Sequence, residues 1–460
     1  MRSGVPLALL VLPLFPVTLW SQGQPDWTKN RDEAVATLQG LIRINTSNPP
    51  GNETQAVRYL KALLEREGIP TEVFAKDSSR ANLVARLKGT GKRQPILLMG
   101  HTDVVGVERD KWTVDPFAAL IKDGYVYGRG ATDDKDNAAV SLQVLLLLHR
   151  LKVPLDRDVI FLAEAGEEGT SEWGIDYMVD QHFDRIDAEF ALLEGGGIQV
   201  EHGVVKYVAV STTEKIPNTV RLVAHGTSGH ASVPRPDNPI VHLAAAVAKI
   251  GAFQPPMRLN ETTRAYFRRL ATISTPEDAA LYTHLDEPAV QEKLRTSRIQ
   301  QNSMLRTSIS PTVFQGGFRR NVIPGDAEAT LDIRALQDED MPAFFDRLRQ
   351  VIDDPAVELI PPARTRPGSP PSRLDSDMFQ ALERAQQAVF PGSVTIPTML
   401  TGATDGAQLR AKGVQAYGIG NYLEDGDSRA HGNDERASIE GLGKFLQYLY
   451  TAVVNVAAAR

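Results

Sequence analysis

No cysteine occurs among the 460 residues. That excludes disulfides and thiolate metal sites, so a metal could be held only by His, Asp and Glu. Positive charge is also short, with 50 Lys and Arg against 57 Asp and Glu and a formal net charge of -7. Such a chain lacks the cationic footprint of a nucleic-acid binder, and no nucleic-acid partner is expected. Histidine is scarce enough, at nine residues, for each to be weighed singly. Beyond the N-terminal segment no apolar run is long enough to cross a bilayer.

What is present is globular: 42% hydrophobic and 23% charged residues. That composition argues against disorder. The length exceeds one ordinary domain. Residues 1–23 read as an export signal, with Arg2 before the apolar run Leu7 to Leu19 and small or polar residues at Ser21 and Gly23. Cleavage near Ser21 to Gln24 would release a periplasmic or secreted protein with no membrane span. The alternative is an anchor that stays attached.

Strand and helix patterns alternate from Asp32 to Ala163, which implies an α/β sheet with covered faces. The pattern changes near Thr212. Strands at Thr219 to His225, Met304 to Phe314 and Ala327 to Ile333, with helices at Pro239 to Ile250 and Met341 to Val351, read as a small α+β sandwich. The proline-rich Arg364 to Ser372 reads as a linker back. The expected organisation is a catalytic domain over 26–212 and 364–460, interrupted by an inserted domain over 213–363. The polar, weakly periodic stretch Gln254 to Gln301 is expected to elaborate that inserted domain.

The chemistry-bearing residues stand at strand ends. Leu97-Leu98-Met99-Gly100-His101-Thr102-Asp103 is an apolar strand ending in His, with Asp two residues on. One ring nitrogen could meet a metal while a carboxylate fixes the other. By itself the pair reads better as a hydrogen-bonded surface residue. Gly128 to Asn137 places Asp133, Asp134 and Asp136 before a helix. Capping explains one or two acids there, and the charge argues against a phosphate loop. Ile160 to Gly169 ends a strand in Glu167 and Glu168, whose repulsion a cation would relieve. Ala191 to Gly197 ends one in Glu194, and Ala430 to Glu435 puts His431 in a loop. Together these are nitrogen and oxygen donors suited to zinc, and a shared carboxylate would make a dinuclear hydrolytic site.

With these residues assembled, the chain resembles the dinuclear zinc peptidase family of glutamate carboxypeptidase, aminoacylase, acetylornithine deacetylase and succinyl-diaminopimelate desuccinylase. His-Thr-Asp, Gly-Arg-Gly-Ala-Thr-Asp-Asp-Lys, Glu-Glu, Gly-His-Ala-Ser and Asn-Val-Ile-Pro-Gly follow the family's order. Trp112 to Phe117 and the Asp-Asp-Lys variant look closest to the carboxypeptidase S and N-acyl amino acid hydrolase branch. The resemblance implies that His101 and Glu194 hold one zinc, that Glu168 and His431 hold the other, and that Asp133 bridges them, with a cis peptide after it. Cobalt or manganese could substitute. It implies that Asp103 orients His101 and that Glu167 is the general base for a water shared by the two ions. His230 would stabilise the oxyanion, from the other subunit in dimeric relatives. Asn321, Arg334, Gly402 and Thr404 would bind substrate, with Arg334 on its carboxylate.

The implied activity is hydrolysis of an amide or peptide bond beside a free carboxylate, by a carboxypeptidase or an aminoacylase. A dipeptidase of the same family stays open, as does a non-catalytic zinc- or peptide-binding protein. A homodimer through the inserted domain is a further open reading, because Gln254 to Gln301 could block or replace that interface. Gly166, Asp136 and Ala403 depart from the family's pattern, and none of them removes a ligand or the base. His149, His182, His202, His225, His242 and His284 lack motif context and read as structural.

Overall fold

The computed structural model describes residues 24–425 and 429–459. The segment read as an export signal lies outside them. The strands Val159–Glu164, Ile96–His101, Phe190–Leu193 and Gln415–Gly418 lie side by side and parallel at the centre of a ten-stranded sheet. The first three are buried along their whole length, as their unbroken apolar runs require. Antiparallel strands flank them: Ala81–Leu87 and Thr71–Ala75 on one side, Val204–Glu214 and Gly197–Glu201 on the other.

Side chains of a strand alternate between faces, and the two faces fill different cores. Ile96, Leu98 and Phe161 pack under the helices Trp27–Ile42, Glu53–Arg66, Lys135–Arg150, Asp377–Val389 and Ile439–Ala457. Leu97, Met99, Ile160 and Leu162 pack against Ile175–Gln181 and Gly406–Ala411. The result is the α/β architecture expected, a mostly parallel centre covered by helices on both faces. Lys135–Arg150 begins hard against the central strand. A Cβ on Gly100 would lie 2.8 Å from Ala138 N and 2.9 Å from Asp134 Oδ2, so only glycine fits before His101.

The α+β sandwich interrupts this domain. Ser308–Gly316, Asp326–Ala335, Ile216–His225 and Val357–Ile360 form an antiparallel sheet in that order. Pro239–Ala252 and Met341–Ile352 cover one face, where Leu222, Leu331, Leu243 and Leu348 share a separate core.

The stretch Gln254 to Gln301 behaves differently from expectation. It folds into Glu261–Ala271, Pro276–Thr283 and Pro288–Ser297, followed by Ile299–Met304. This block touches the small sandwich, where Arg258 pairs with Glu339 at 2.7 Å and Leu336 joins its core, and it also reaches the main sheet. Its core residues Tyr266, Phe267, Leu270 and Met304 pack with Ile396 and Met399 of Val394–Leu400, a strand of the main sheet. Polar ties point the same way. The hydroxyls of Thr212 and Thr262 lie 2.6 Å apart, and Arg269 donates to Glu383 at 2.6 Å and to the Thr395 carbonyl at 2.8 Å. Pro276–Thr283 and Pro288–Ser297 are short and bury few residues, so their amphipathic period is faint, whereas Glu261–Ala271 buries a clear stripe through Tyr266, Phe267 and Leu270.

Candidate active site

Parallel strands end on one edge of a sheet, and sites form there. His101 is the last residue of its strand, Glu164 the last of the next, and Glu194 follows Phe190–Leu193 directly. Asp133 arrives from the turn before Lys135–Arg150, Glu167 and Glu168 from the loop after Glu164, and His431 from the loop before Arg436–Ser438.

Two groups of ligand atoms result. His101, Asp133 and Glu194 form one, and Asp133, Glu168 and His431 the other, with all atoms of a group within 4.8 Å of one another. Asp133 belongs to both. Its Oδ1 lies 3.1 Å from His101 Nε2, and its Oδ2 lies 3.0 Å from His431 Nε2. His431 Nε2 also lies 3.0 Å from Glu168 Oε2. Each group offers one imidazole nitrogen and two carboxylate oxygens, a donor set that fits zinc. The Asp133–Asp134 peptide is cis, as the resemblance implied. Asp134 does not cap the helix; its Oδ2 instead accepts from His101 N at 3.3 Å.

Asp103 is fully buried and ties the site together. His101 Nδ1 sits 3.0 Å from the Asp103 main-chain carbonyl, nearer than the carboxylate at 3.5 Å. The carboxylate has another task. Its two oxygens accept the backbone N–H of Glu167 and of Glu168, each at 3.1 Å, and Oδ2 also accepts from Asn48 Nδ2 at 2.8 Å. Burial alone would raise its pKa, but His101 and these donors hold it below the usual range. One residue thus serves both, its carbonyl facing the first histidine and its carboxylate holding the backbone of the paired glutamates.

Without a cation the cluster keeps protons. Hydrogen bonds to Asp133 and Glu168 push the His431 imidazole up to about 10. Burial works against protonated His101, but Asp103 and Asp133 outweigh it and raise its pKa well above the ordinary value. Glu194 is raised far above the carboxylate range, first by burial and then by Glu167. Burial and the neighbouring Asp405 push Glu167 up to about 8.

Sequence reasoning missed several residues that shape this site. Arg366, assigned to the linker, donates through Nη2 to Glu167 Oε1 at 3.2 Å and through Nη1 to Asp405 Oδ1 at 3.2 Å and to the Thr404 carbonyl. Nothing in that aperiodic, proline-rich stretch marks it. Glu435 is buried and accepts from Arg129 at 2.7 Å, Gly130 N at 3.2 Å and Thr132 N at 2.8 Å, clamping the turn that delivers Asp133. Its signal was legible, an acid four residues after His431. Arg129 also donates to the His431 carbonyl at 3.2 Å. Lys135 is spent inside, donating to the carbonyls of Leu41 and Ile44 at 3.1 and 2.9 Å. Asp136 is buried, and burial pushes its carboxyl up to about 8.

The remaining predicted residues stand apart from Asp133. His230 and Asn321 are exposed on one two-stranded ribbon of the small sandwich, where His230 pairs with Val322 and Ala231 N donates to the Asn321 carbonyl at 3.1 Å. Ser232 N donates to His230 Nδ1 at 3.1 Å, which leaves the ring proton on Nε2. Among the described residues neither side chain hydrogen-bonds to the two ligand groups. Arg334 is engaged by Asp332 through two bonds of 2.8 and 3.0 Å. Thr404 is also committed: its N–H and hydroxyl both donate to Glu214, at 2.9 and 2.7 Å. Both of its donors serve the loop fold. Gly402 is exposed, with open space where a Cβ would stand.

Residues 97–455 match the profile of Peptidase family M20/M25/M40. The chain belongs to that family. It is 30% identical over 387 residues to a probable carboxypeptidase S-like protein of Dictyostelium discoideum, covering 81% of this chain and 74% of that one. It is 29% identical over 449 residues to the N-fatty-acyl-amino acid synthase/hydrolase PM20D1 of Xenopus tropicalis, covering 93% and 86%. The fold matches an M20 family metallo-carboxypeptidase of Sulfolobus solfataricus with a TM-score of 0.68 at 20% identity, over 92% of this chain and 99% of that one. This M20 protein is a metal-dependent hydrolase of amide bonds.

Two outcomes follow from the geometry. Asp103→Ala should weaken metal binding roughly 10- to 100-fold, measured by competition with a chelator; unchanged affinity would remove its tie to the ligands. Raised histidine pKa values mean that a metal must displace protons, so apparent affinity should rise with pH through neutrality. Calorimetry in buffers of different ionisation enthalpy should read proton release, and none would contradict the protonated cluster.

Proposed function

We propose that this M20 enzyme works with two zinc ions and cleaves an amide bond beside a free carboxylate, in an N-acyl amino acid or at the end of a peptide. His101 and Glu194 would hold one ion, Glu168 and His431 the other, and Asp133 both. One observation carries this reading: the two oxygens of Asp133 face two different histidines, at 3.1 and 3.0 Å. The names of the relatives from Dictyostelium and Xenopus support the substrate class.

When bound, the ions would supply Lewis-acid polarisation and an acidified water. The chain's own residues do the rest. Glu167, which the neighbouring cations would keep ionised, would accept a proton from the attacking water on its carboxylate. It then returns that proton to the leaving nitrogen. Arg366 holds Glu167 Oε1 in place during both transfers. His230 donates from Nε2 to the oxyanion, and a homodimer is one route by which it would arrive. Arg334, Asn321 and Gly402 would receive the carboxylate end, once Arg334 exchanges Asp332 for substrate. The apolar chain start supports an exported protein, and among the described residues no helix is long and apolar enough to cross a membrane.

Glu167→Gln should lower turnover of N-acyl amino acids by several orders of magnitude while bound metal, read by elemental analysis, stays at the wild-type level. Chelation should abolish wild-type turnover, and zinc should restore it. Near-normal turnover in Glu167→Gln contradicts the assignment of the base.

A further inference from the structure

A cavity of about 700 Å³ opens from the ligand groups, with Asp133 and Glu194 at one end. Its lining mixes carboxylates, amides and hydroxyls with the carbon-rich side chains of Tyr207, Tyr266, Met304, Met399 and Leu400. Tyr266 and Met304 come from the helical block over 261–304, together with Gln301. That block packs on Ile396 and Met399 of the main sheet, and its core also takes in Leu336 beside the small sandwich.

No Lys or Arg lines the cavity among the described residues, while several carboxylates do. A substrate carboxylate placed here would be desolvated beside like charge with no partner. The carboxylate end of the substrate must lie on the other side of the scissile bond. The group left for this cavity is the acyl group, and methionine side chains adapt to flexible apolar chains. The volume falls in the range of ligand-sized sites and exceeds what a short acyl group would fill.

We infer that the 261–304 block is a specificity element: Tyr266, Gln301 and Met304 wall the acyl side and set the length of an uncharged, apolar acyl chain that the enzyme accepts. This rests on the amide-hydrolase reading above. Gln301 is partly exposed on a short helix, so a larger side chain there fills the cavity without entering the core.

The test compares acetyl, octanoyl, dodecanoyl and hexadecanoyl derivatives of one amino acid, together with dodecanoyl chains ending in ammonium or carboxylate. With zinc-loaded enzyme, kcat/KM should rise roughly tenfold or more from acetyl to dodecanoyl, because each added methylene is buried. Both charged chains should lose that gain. Gln301→Trp should cut the dodecanoyl-to-acetyl ratio roughly tenfold. Dissociation constants of the same compounds are measured with Glu167→Gln and with Glu167→Gln/Gln301→Trp, and melting curves check that both fold. An equal effect of Gln301→Trp on both chain lengths, or a preference for the ammonium-ended chain, overturns the inference. Length-dependent binding that Gln301→Trp abolishes, in a protein that turns over none of these amides, supports the pocket and sinks the hydrolytic reading instead.

Discussion

Asp133 sits between two imidazoles at the carboxyl edge of the parallel strands, and most of the structure exists to hold it there. Carboxylates that gather in a protected site repel one another unless a cation or a proton intervenes. Here burial and the neighbouring charges raise the pKa values of His101, His431, Glu194 and Glu167, which favours protons in place of a cation. The same donors, deprotonated, make a shell for positive metal ions. The arrangement is unfavourable for folding alone and becomes sensible as a binding site.

The supports around that carboxylate are themselves charged and buried. Asp103 links His101 to the backbone of Glu167 and Glu168. Glu435 and Arg129 clamp the turn before Asp133 and the loop carrying His431. Arg366 reaches Glu167 from the return linker. Three remote segments of the chain thereby converge on a few ångströms, which is how outer contacts orient ligands and raise their basicity.

Much of this was legible in the sequence, for a physical reason. Unbroken apolar strands ending in His101, Glu164 and Glu194 state both the parallel sheet and its functional edge. His431 and Glu167 were legible only because they stand in motifs that recur in one order. The contacts of Asp103 were half legible: its tie to His101 was expected, but the nearer contact is its carbonyl, and the carboxylate serves the glutamates. Arg366 was illegible because a proline-rich segment carries no period and its partner lies far away in the chain. The contact of the Gln254 to Gln301 stretch with the main sheet was not legible, because nothing local in its short helices says which sheet they cover. Thr404 carries a role its motif did not reveal, since its N–H and hydroxyl both donate to Glu214.

The central claim is that one carboxylate serves two ions. Diffraction from zinc-loaded crystals at the zinc absorption edge tests it directly. The account predicts two anomalous peaks, one against His101 and Glu194 and one against Glu168 and His431, each touching a different oxygen of Asp133. A single peak, or two peaks with Asp133 bound to neither or only one, would contradict it.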